Sequence, residues 1–382
     1  MQFHQPVPLS LYVHYPWCIQ KCPYCDFNSH TLKDDQEKIY LNAVIQQLEQ
    51  TLPSVWGRPI QSIFFGGGTP SLMSEQGLDD FLSNARALLG FQPYIEITLE
   101  ANPGTVDFNK FAGFRQAGVN RLSMGVQSFE DEKLKALGRI HSADEVFLAV
   151  EAAKKAGFSN FNLDLMFSLP NQSLSQAIQD VETAISLKPP HLSHYQLTLE
   201  PNTPFYKNPP VLPEDDLAWE MQLACQDILA KAGYLHYEIS AYSQPKAQCL
   251  HNTNYWQFGD YIGLGAGAHG KITDPPQGKI WRTQMPASPG GYSEMIRSKK
   301  WGRKEELSEQ DAAFEFMMNV LRLEQGFDLS LFELRTGISL SVIKPKLTQL
   351  EEQDWARIKD GNLKLTLLGK TFLNDVLQVF ME

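Results

Sequence analysis

No stretch of these 382 residues approaches the roughly 20 apolar positions needed to cross a bilayer, so a transmembrane helix is not expected. The opening "MQFHQPVPLSLYVHYPWC" also lacks a basic segment followed by a continuous apolar one, which argues against a secretory leader. A soluble, cytoplasmic protein is the expectation. There is no excess of positive charge: Lys plus Arg number 33 against 44 Asp plus Glu, a net charge of -11. Such a field does not attract nucleic acid or an anionic membrane surface. Cysteine is scarce, and three of the five crowd into one segment, so a secreted disulfide framework is excluded in favour of metal or redox chemistry.

That segment, "YVHYPWCIQKCPYCDFNSH" (12 to 30), spaces Cys18, Cys22 and Cys25 as C-x3-C-x2-C. A closed structural metal site wants four ligands, and a fourth cysteine is what this stretch lacks. Thiolates are natural ligands of cuboidal iron-sulfur clusters, and three of them leave one iron open to a small molecule. Zinc completed by His14 or His30 is an alternative, as is local packing without metal. Pro16 and Pro23 stiffen the loop, and Trp17, Tyr24 and Phe27 are placed to shield whatever it holds. Cys225, on a predicted helix, reads as a small buried hydrophobe.

The first 200 residues alternate β-rich runs with amphipathic stretches. Strands are predicted at 9 to 14, 60 to 65, 94 to 100, 119 to 126, 160 to 167 and 191 to 199. Helices are predicted at 34 to 52, 74 to 89, 107 to 118, 142 to 157 and 173 to 187. Ser142 with Glu145, and Ser173 with Gln176, have the spacing of helix-starting caps. This rhythm predicts an α/β fold of parallel strands with right-handed crossovers. Polar or glycine-rich residues follow the strands repeatedly, which favours a partial (β/α)6 barrel with its site at the C-terminal strand ends. An open doubly wound sheet is the competitor.

Beyond residue 200 a proline-rich crossing leads to a predicted helix at 214 to 232, a returning strand in "YLHYEISAYSQ", and an irregular extension of turns and a hairpin through residue 302. Residues 303 to 382 are mainly helical. "DGN" between short extended pieces, before a terminal helix, suggests a small winged-helix-like domain. Its 10 Lys plus Arg against 14 Asp plus Glu suit packing or a protein partner better than DNA. The division expected is therefore 1–200, 201–302 and 303–382.

"FFGGGTPS" places Gly66, Gly67, Gly68 and Thr69 directly after a strand, where backbone groups can approach a polar ligand. It lacks the lysine of a phosphate-binding P-loop. Glu100, Gln127, Arg139 and Asp164 lie at or near strand ends. Taken singly they read as a charged strand end, a turn amide, a solvated cation and a buried network acid.

Taken together with "CIQKCPYC", these motifs resemble the radical S-adenosylmethionine (SAM) superfamily, and specifically its anaerobic coproporphyrinogen III oxidase-like family. The resemblance runs from about residue 9 to the end of the chain. It implies a [4Fe-4S] cluster on Cys18, Cys22 and Cys25, whose open iron binds SAM, with Tyr12, Gly67, Gly68, Thr69, Glu100, Gln127, Arg139 and Asp164 around that cofactor. By the same resemblance Arg139 would neutralise the carboxylate, Glu100 would meet the sulfonium or ribose end, and Gln127 and Asp164 would hydrogen-bond the nucleoside and its surroundings.

Two departures distinguish the chain from the oxidase proper. Phe27 stands where the oxidase has a fourth cysteine, and only 17 residues precede Cys18. The sequence is more similar to the family's heme chaperone branch, whose H-N-x-x-Y-W motif is matched by "HNTNYW" at 251 to 256. That implies heme as cargo, with His251 the preferred iron ligand, Cys249 a poor second and His269 a reserve, and Tyr255 and Trp256 packing beside the macrocycle. It further implies a heme-acceptor protein, membrane-associated or respiratory, and a homodimer assisted by the cluster. The alternative is a radical SAM oxidoreductase acting on a porphyrinogen or related tetrapyrrole.

Overall fold

The structure, a computed structural model, describes residues 1–31 and 36–381. Six strands run parallel and in sequence order across one sheet: β1 (Leu9–Tyr15), β2 (Ile60–Gly67), β3 (Phe91–Ala101), β4 (Arg121–Gln127), β5 (Phe161–Phe167) and β6 (His191–Gln196). They form the partial barrel that the alternation of runs predicts. Sequential parallel neighbours need a crossover each, and these are supplied chiefly by α1 (Glu37–Val55), α2 (Glu75–Leu88), α3 (Phe108–Ala117), α4 (Ala143–Lys155) and α5 (Leu174–Ser186). The first two residues of the helix expected at 34 to 52 lie outside the described residues. Ser142 and Ser173 each close a reciprocal capping box with Glu145 and Gln176, which fixes where α4 and α5 begin.

Each strand divides its side chains by parity. Leu9, Leu11 and Val13 of β1, with Ile63 and Phe65 of β2, join the main apolar core with the helices. The alternate positions face the barrel interior and are largely polar, with Phe64 and Met166 as apolar exceptions, and neighbouring strands pair them. Ser62 Oγ donates to Ser10 Oγ at 2.7 Å, and His191 Nδ1 lies 2.7 Å from Asn162 Oδ1. Cys225 is buried on α6 (Asp215–Lys231), as expected.

The extension departs from expectation in three ways. "YLHYEISAYSQ" makes two short strands, β7 (Leu235–Glu238) and β8 (Ala241–Ser243), with β8 antiparallel to β6. The segment expected to be irregular instead continues the sheet on its other side: β9 (Asp260–Leu264) pairs parallel with β1, followed by antiparallel β10 (His269–Asp274), β11 (Lys279–Gln284) and β12 (Arg303–Glu306). Among the described residues the sheet therefore has 12 strands. The third departure is "LHNTNYW", which is helix α7 (Leu250–Trp256) within the stretch expected to be irregular. Glycines at 263, 265 and 267 masked the β9 strand in the sequence. Gly263 is required there because a Cβ would stand 1.9 Å from the His269 carbonyl oxygen.

Asp260 pins this added sheet. It accepts from Lys271 Nζ (2.7 Å), Arg58 Nη2 (2.7 Å) and the Thr273 amide (2.8 Å). Burial opposes its charge, but Lys271 and Arg58 outweigh that and hold the carboxyl below its ordinary range.

The C-terminal part has a second apolar core, centred on Phe316 of α8 (Glu309–Val320), whose ring meets Phe258, Phe327 and Phe332. Helices Ser330–Thr336 and Lys344–Glu352 precede a hairpin of Ala356–Lys359 and Asn362–Leu365. Asp360 (φ 51°) and Gly361 (φ 80°) turn that hairpin with the two left-handed residues its twist demands. The helices and the three-stranded sheet completed by Phe327–Asp328 give the winged-helix-like arrangement read from "DGN". Among the described residues no helix is long and apolar enough to cross a membrane.

Candidate cofactor site and barrel floor

At the C-terminal ends of the strands lies a cavity of about 560 Å³. Cys18, Cys22, Cys25, Gly67, Gly68, Thr69, Glu100, Gln127, Arg139 and Asp164 all line it. Two of the residues expected to bind cofactor, Tyr12 and His251, do not.

The cysteine loop is closed at its base by Trp17–Cys18 pairing with His30–Thr31. The Cys25 amide donates to the Cys22 carbonyl at 3.1 Å, making a turn that brings the last two cysteines to one side. Thr69 Oγ1 donates to Cys18 Sγ (3.4 Å), and Arg139 Nη1 lies 3.7 Å from Cys22 Sγ. Burial pushes the Cys18 and Cys25 thiols up, while Thr69 acts in the opposite sense on Cys18. Among the described residues no three His, Cys, Asp or Glu side chains converge tightly enough to hold a single metal ion. His14 and His30 are engaged elsewhere. His14 bonds Tyr12 Oη (2.9 Å) and the Asn28 carbonyl (2.8 Å), and His30 Nε2 lies 3.2 Å from Asn28 Oδ1. Neither completes the cysteine set as a zinc ligand. Asn28 also ties the loop to the added sheet, its Nδ2 donating to the carbonyls of Ala266 (3.0 Å) and Ala287 (2.9 Å).

The glycine loop is built for close approach. Gly67 has φ +113°, and a Cβ there would stand 2.5 Å from the His14 ring. Tyr12 thus shapes the cavity from behind, by holding His14 under Gly67. A Cβ on Gly68 would meet the Trp17 carbonyl oxygen at 2.5 Å. Of the three aromatics expected to shield the loop, Tyr24 and Phe27 line the cavity, whereas Trp17 is buried below it against Tyr40.

Opposite the cysteines stand two half-buried carboxyls, Glu100 and Asp164, without an ion pair among the described residues. Burial, and then the Asp164 charge, push Glu100 up to about 8, although the Gly67 amide donates to it at 3.2 Å. Burial also raises Asp164, against hydrogen bonds from Asn162 (2.8 Å) and Ser123 (3.2 Å). Arg139 Nη2 donates to the Gly125 carbonyl (2.7 Å), and its buried Nε has no hydrogen-bond partner among the described residues. Gln127 ends β4 in a left-handed conformation (φ 71°), uncommon for a side-chain-bearing residue. Tyr195 Oη holds it, donating to Gln127 Oε1 at 3.0 Å. Tyr195 lines the cavity and was not singled out from the sequence. Its signal was parity: it is the last inward-facing position of β6.

The donor set fits an iron-sulfur cluster with SAM. Three thiols and a half-buried cation share one cavity, the Arg139 Nε proton lacks an acceptor among the described residues, and two glycines keep space that side chains would fill.

The other end of the barrel is closed. Helix α7 lies across the N-terminal strand ends, anchored by Glu96, which accepts from the amides of Leu250 (3.2 Å) and His251 (3.2 Å) and from Cys249 Sγ (3.4 Å). Glu96 lies 4.0 Å from buried Arg121. His251 points into this floor, its Nδ1 3.2 Å from Ser62 Oγ, and burial with the Arg121 charge pushes its pKa to about 3. Asn254 Nδ2 donates to Ser10 Oγ (3.0 Å) and to the Asp260 carbonyl (2.9 Å). Trp256 packs beneath Arg322, 4.3 Å from the ring centre, and Tyr255 turns outward toward Tyr261.

Comparison with known proteins agrees with this architecture. The sequence model of the radical SAM superfamily matches residues 12–184, and that of the HemN C-terminal domain matches residues 307–372. The chain is 46% identical over 375 residues to the heme chaperone HemW of Escherichia coli, covering 98% of each chain. It is 46% identical over 379 residues to that of Haemophilus influenzae, again covering 98% of each. The corresponding protein of Bacillus subtilis is 34% identical over 380 residues, covering 97% of this chain and 99% of the relative. Among solved structures, coproporphyrinogen III oxidase (HemN) of Escherichia coli superposes with a TM-score of 0.83 at 22% identity, covering 98% of this chain and 90% of that one, a likeness of fold. The chain belongs to the HemW family of radical SAM proteins.

Proposed function

We propose that this protein is a heme chaperone, which binds heme and passes it to an acceptor hemoprotein, and which carries a [4Fe-4S] cluster on Cys18, Cys22 and Cys25 with SAM on the open iron. The observation that carries the cofactor half is the single cavity shared by the three thiols, the Gly67–Gly68–Thr69 loop, Glu100, Gln127 and Arg139. The cargo half is supported by relatives named for heme chaperoning that match this chain from end to end.

When bound, the cluster would supply a one-electron donor to SAM. The protein's own contribution is positional. Thr69 steadies the Cys18 thiolate, the Arg139 cation offsets negative charge at Cys22, and the buried Arg139 Nε offers an unpaired donor to an anionic group. Gly67 and Gly68 let the backbone approach, and Tyr24 walls one side of the cavity. In this reading residues 1–200 carry the cofactors, 201–302 the cargo, and 303–382 face the acceptor or a second copy of the chain.

The test is anaerobic loading of the reconstituted protein with heme, followed by transfer to apo-acceptors, with SAM and 5'-deoxyadenosine measured in the same samples. Heme transfer without a modified tetrapyrrole is the expected result. Turnover of a porphyrinogen coupled to 5'-deoxyadenosine release would replace the chaperone with an oxidoreductase.

A further inference from the structure

A second cavity, about 330 Å³, opens on the face of β9–β12 and shares no residue with the cofactor cavity. Its walls follow from register. His269, Gln284 and Arg303 form one cross-strand row, and Tyr261, Lys271, Arg282 and Glu305 form the next, so both rows present their side chains to the same face. Tyr255 of α7 covers one side, its ring centre 5.2 Å from that of Tyr261. The outward-facing end of "HNTNYW" therefore belongs to this cavity, while its histidine belongs to the barrel floor.

The histidines of this region differ in what they can do. His251 is buried, and its Nδ1 is held by Ser62. His269 is exposed at the start of β10, with no side-chain hydrogen bond among the described residues. Burial, and then the Arg282 charge, lower its pKa. Arg282 is fixed, donating to Glu315 (Nε, 2.9 Å) and to Tyr261 Oη (2.8 Å). Among the described residues the Arg303 side chain is held by an exposed pair with Glu305, and exchanges partners at little cost. The combination is an accessible imidazole, two tyrosine rings and a cation free to turn. That suits a planar metalloporphyrin edge with carboxylates, and the cavity lies within the roughly 300–1,000 Å³ usual for small-molecule sites.

Resting on the heme reading above, we propose that this cavity is the cargo site: heme docks edge-on against Tyr255 and Tyr261, His269 ligates its iron, and Arg303 pairs with a propionate. The buried His251 is then a positioning residue, which keeps α7 and hence Tyr255 in place.

Hemin, and iron-free protoporphyrin IX as a probe without coordination, are titrated into the full-length reconstituted protein and followed by the Soret band. His269→Ala is expected to weaken hemin binding by about tenfold or more, to alter the Soret position, and to leave protoporphyrin binding unchanged. Arg303→Ala is expected to weaken both probes. Both positions are exposed, so these variants test the site without a folding penalty. His251→Ala, checked by circular dichroism, is expected to keep the wild-type Soret position. Wild-type hemin binding that neither His269→Ala nor Arg303→Ala alters would overturn the site and leave the heme reading intact. A wild-type protein that binds no hemin would overturn that reading, and the site with it.

Discussion

Glu96 and Glu100 sit on the same strand, face the same interior, and have opposite surroundings. Glu96, at the floor, faces Arg121 and accepts from two backbone amides and a thiol. Glu100, at the rim, has one amide and a neighbouring acid, and is pushed up to about 8. Glu96 has its carboxylate filled by the chain's own donors, and Glu100 is left short of them. Buried groups short of partners are costly to the empty fold and are found where a ligand completes them. The contrast between the two carboxyls, together with the cavity that Glu100 lines and Glu96 does not, accords with a cofactor at the rim.

The largest effect expected from attacking this contrast is at the floor. Glu96→Ala leaves Arg121 buried without its counter-charge and frees the start of α7, costing about 3–5 kcal/mol in chemical denaturation. Iron and sulfide content per folded molecule should stay at the wild-type level, because no cluster ligand moves. An intermediate effect is expected at the rim: Gly67→Ala forces a Cβ against His14 at positive φ, costing about 1–3 kcal/mol. Here SAM binding, read by equilibrium dialysis, should be lost beyond what the stability change explains. The subtlest is a pH effect. Glu100 ionises near its ordinary value of 4.5 when unfolded and near about 8 when folded. Its contribution to apo-protein stability is therefore complete below pH 4.5 and declines as pH rises through about 8. Glu100→Gln should flatten that decline in urea titrations at successive pH values, and an unchanged slope would show the carboxyl to be ionised in the fold.

The barrel was legible because periodicity and caps act locally. Ser142 and Ser173 announce their helices within four residues, and the six strands carry their own apolar runs. The cofactor residues were legible by motif, each lying within a few residues of a strand end. Strand β9 was not, since its glycines suit turns and its partner β1 lies some 250 residues earlier, a pairing that no local pattern encodes. The floor was hidden for the same reason. Ser10, Ser62 and Glu96 look like ordinary strand polar residues until α7 is laid across them. Tyr195 shows a milder case, in which counting alternate positions along β6 would have found it.

Asn28 joins parts of the molecule that the chain keeps far apart. Its side chain grips the carbonyls of Ala266 and Ala287 while its own carbonyl meets His14 beneath the glycine loop. It is a clasp between the cysteine loop and the segment that leads into His269. Any displacement of that loop must either carry residues 266 to 269 along or break both grips, and His30, whose Nε2 lies 3.3 Å from the same Ala287 carbonyl, would have to let go as well, so the cofactor end and the second cavity are mechanically linked.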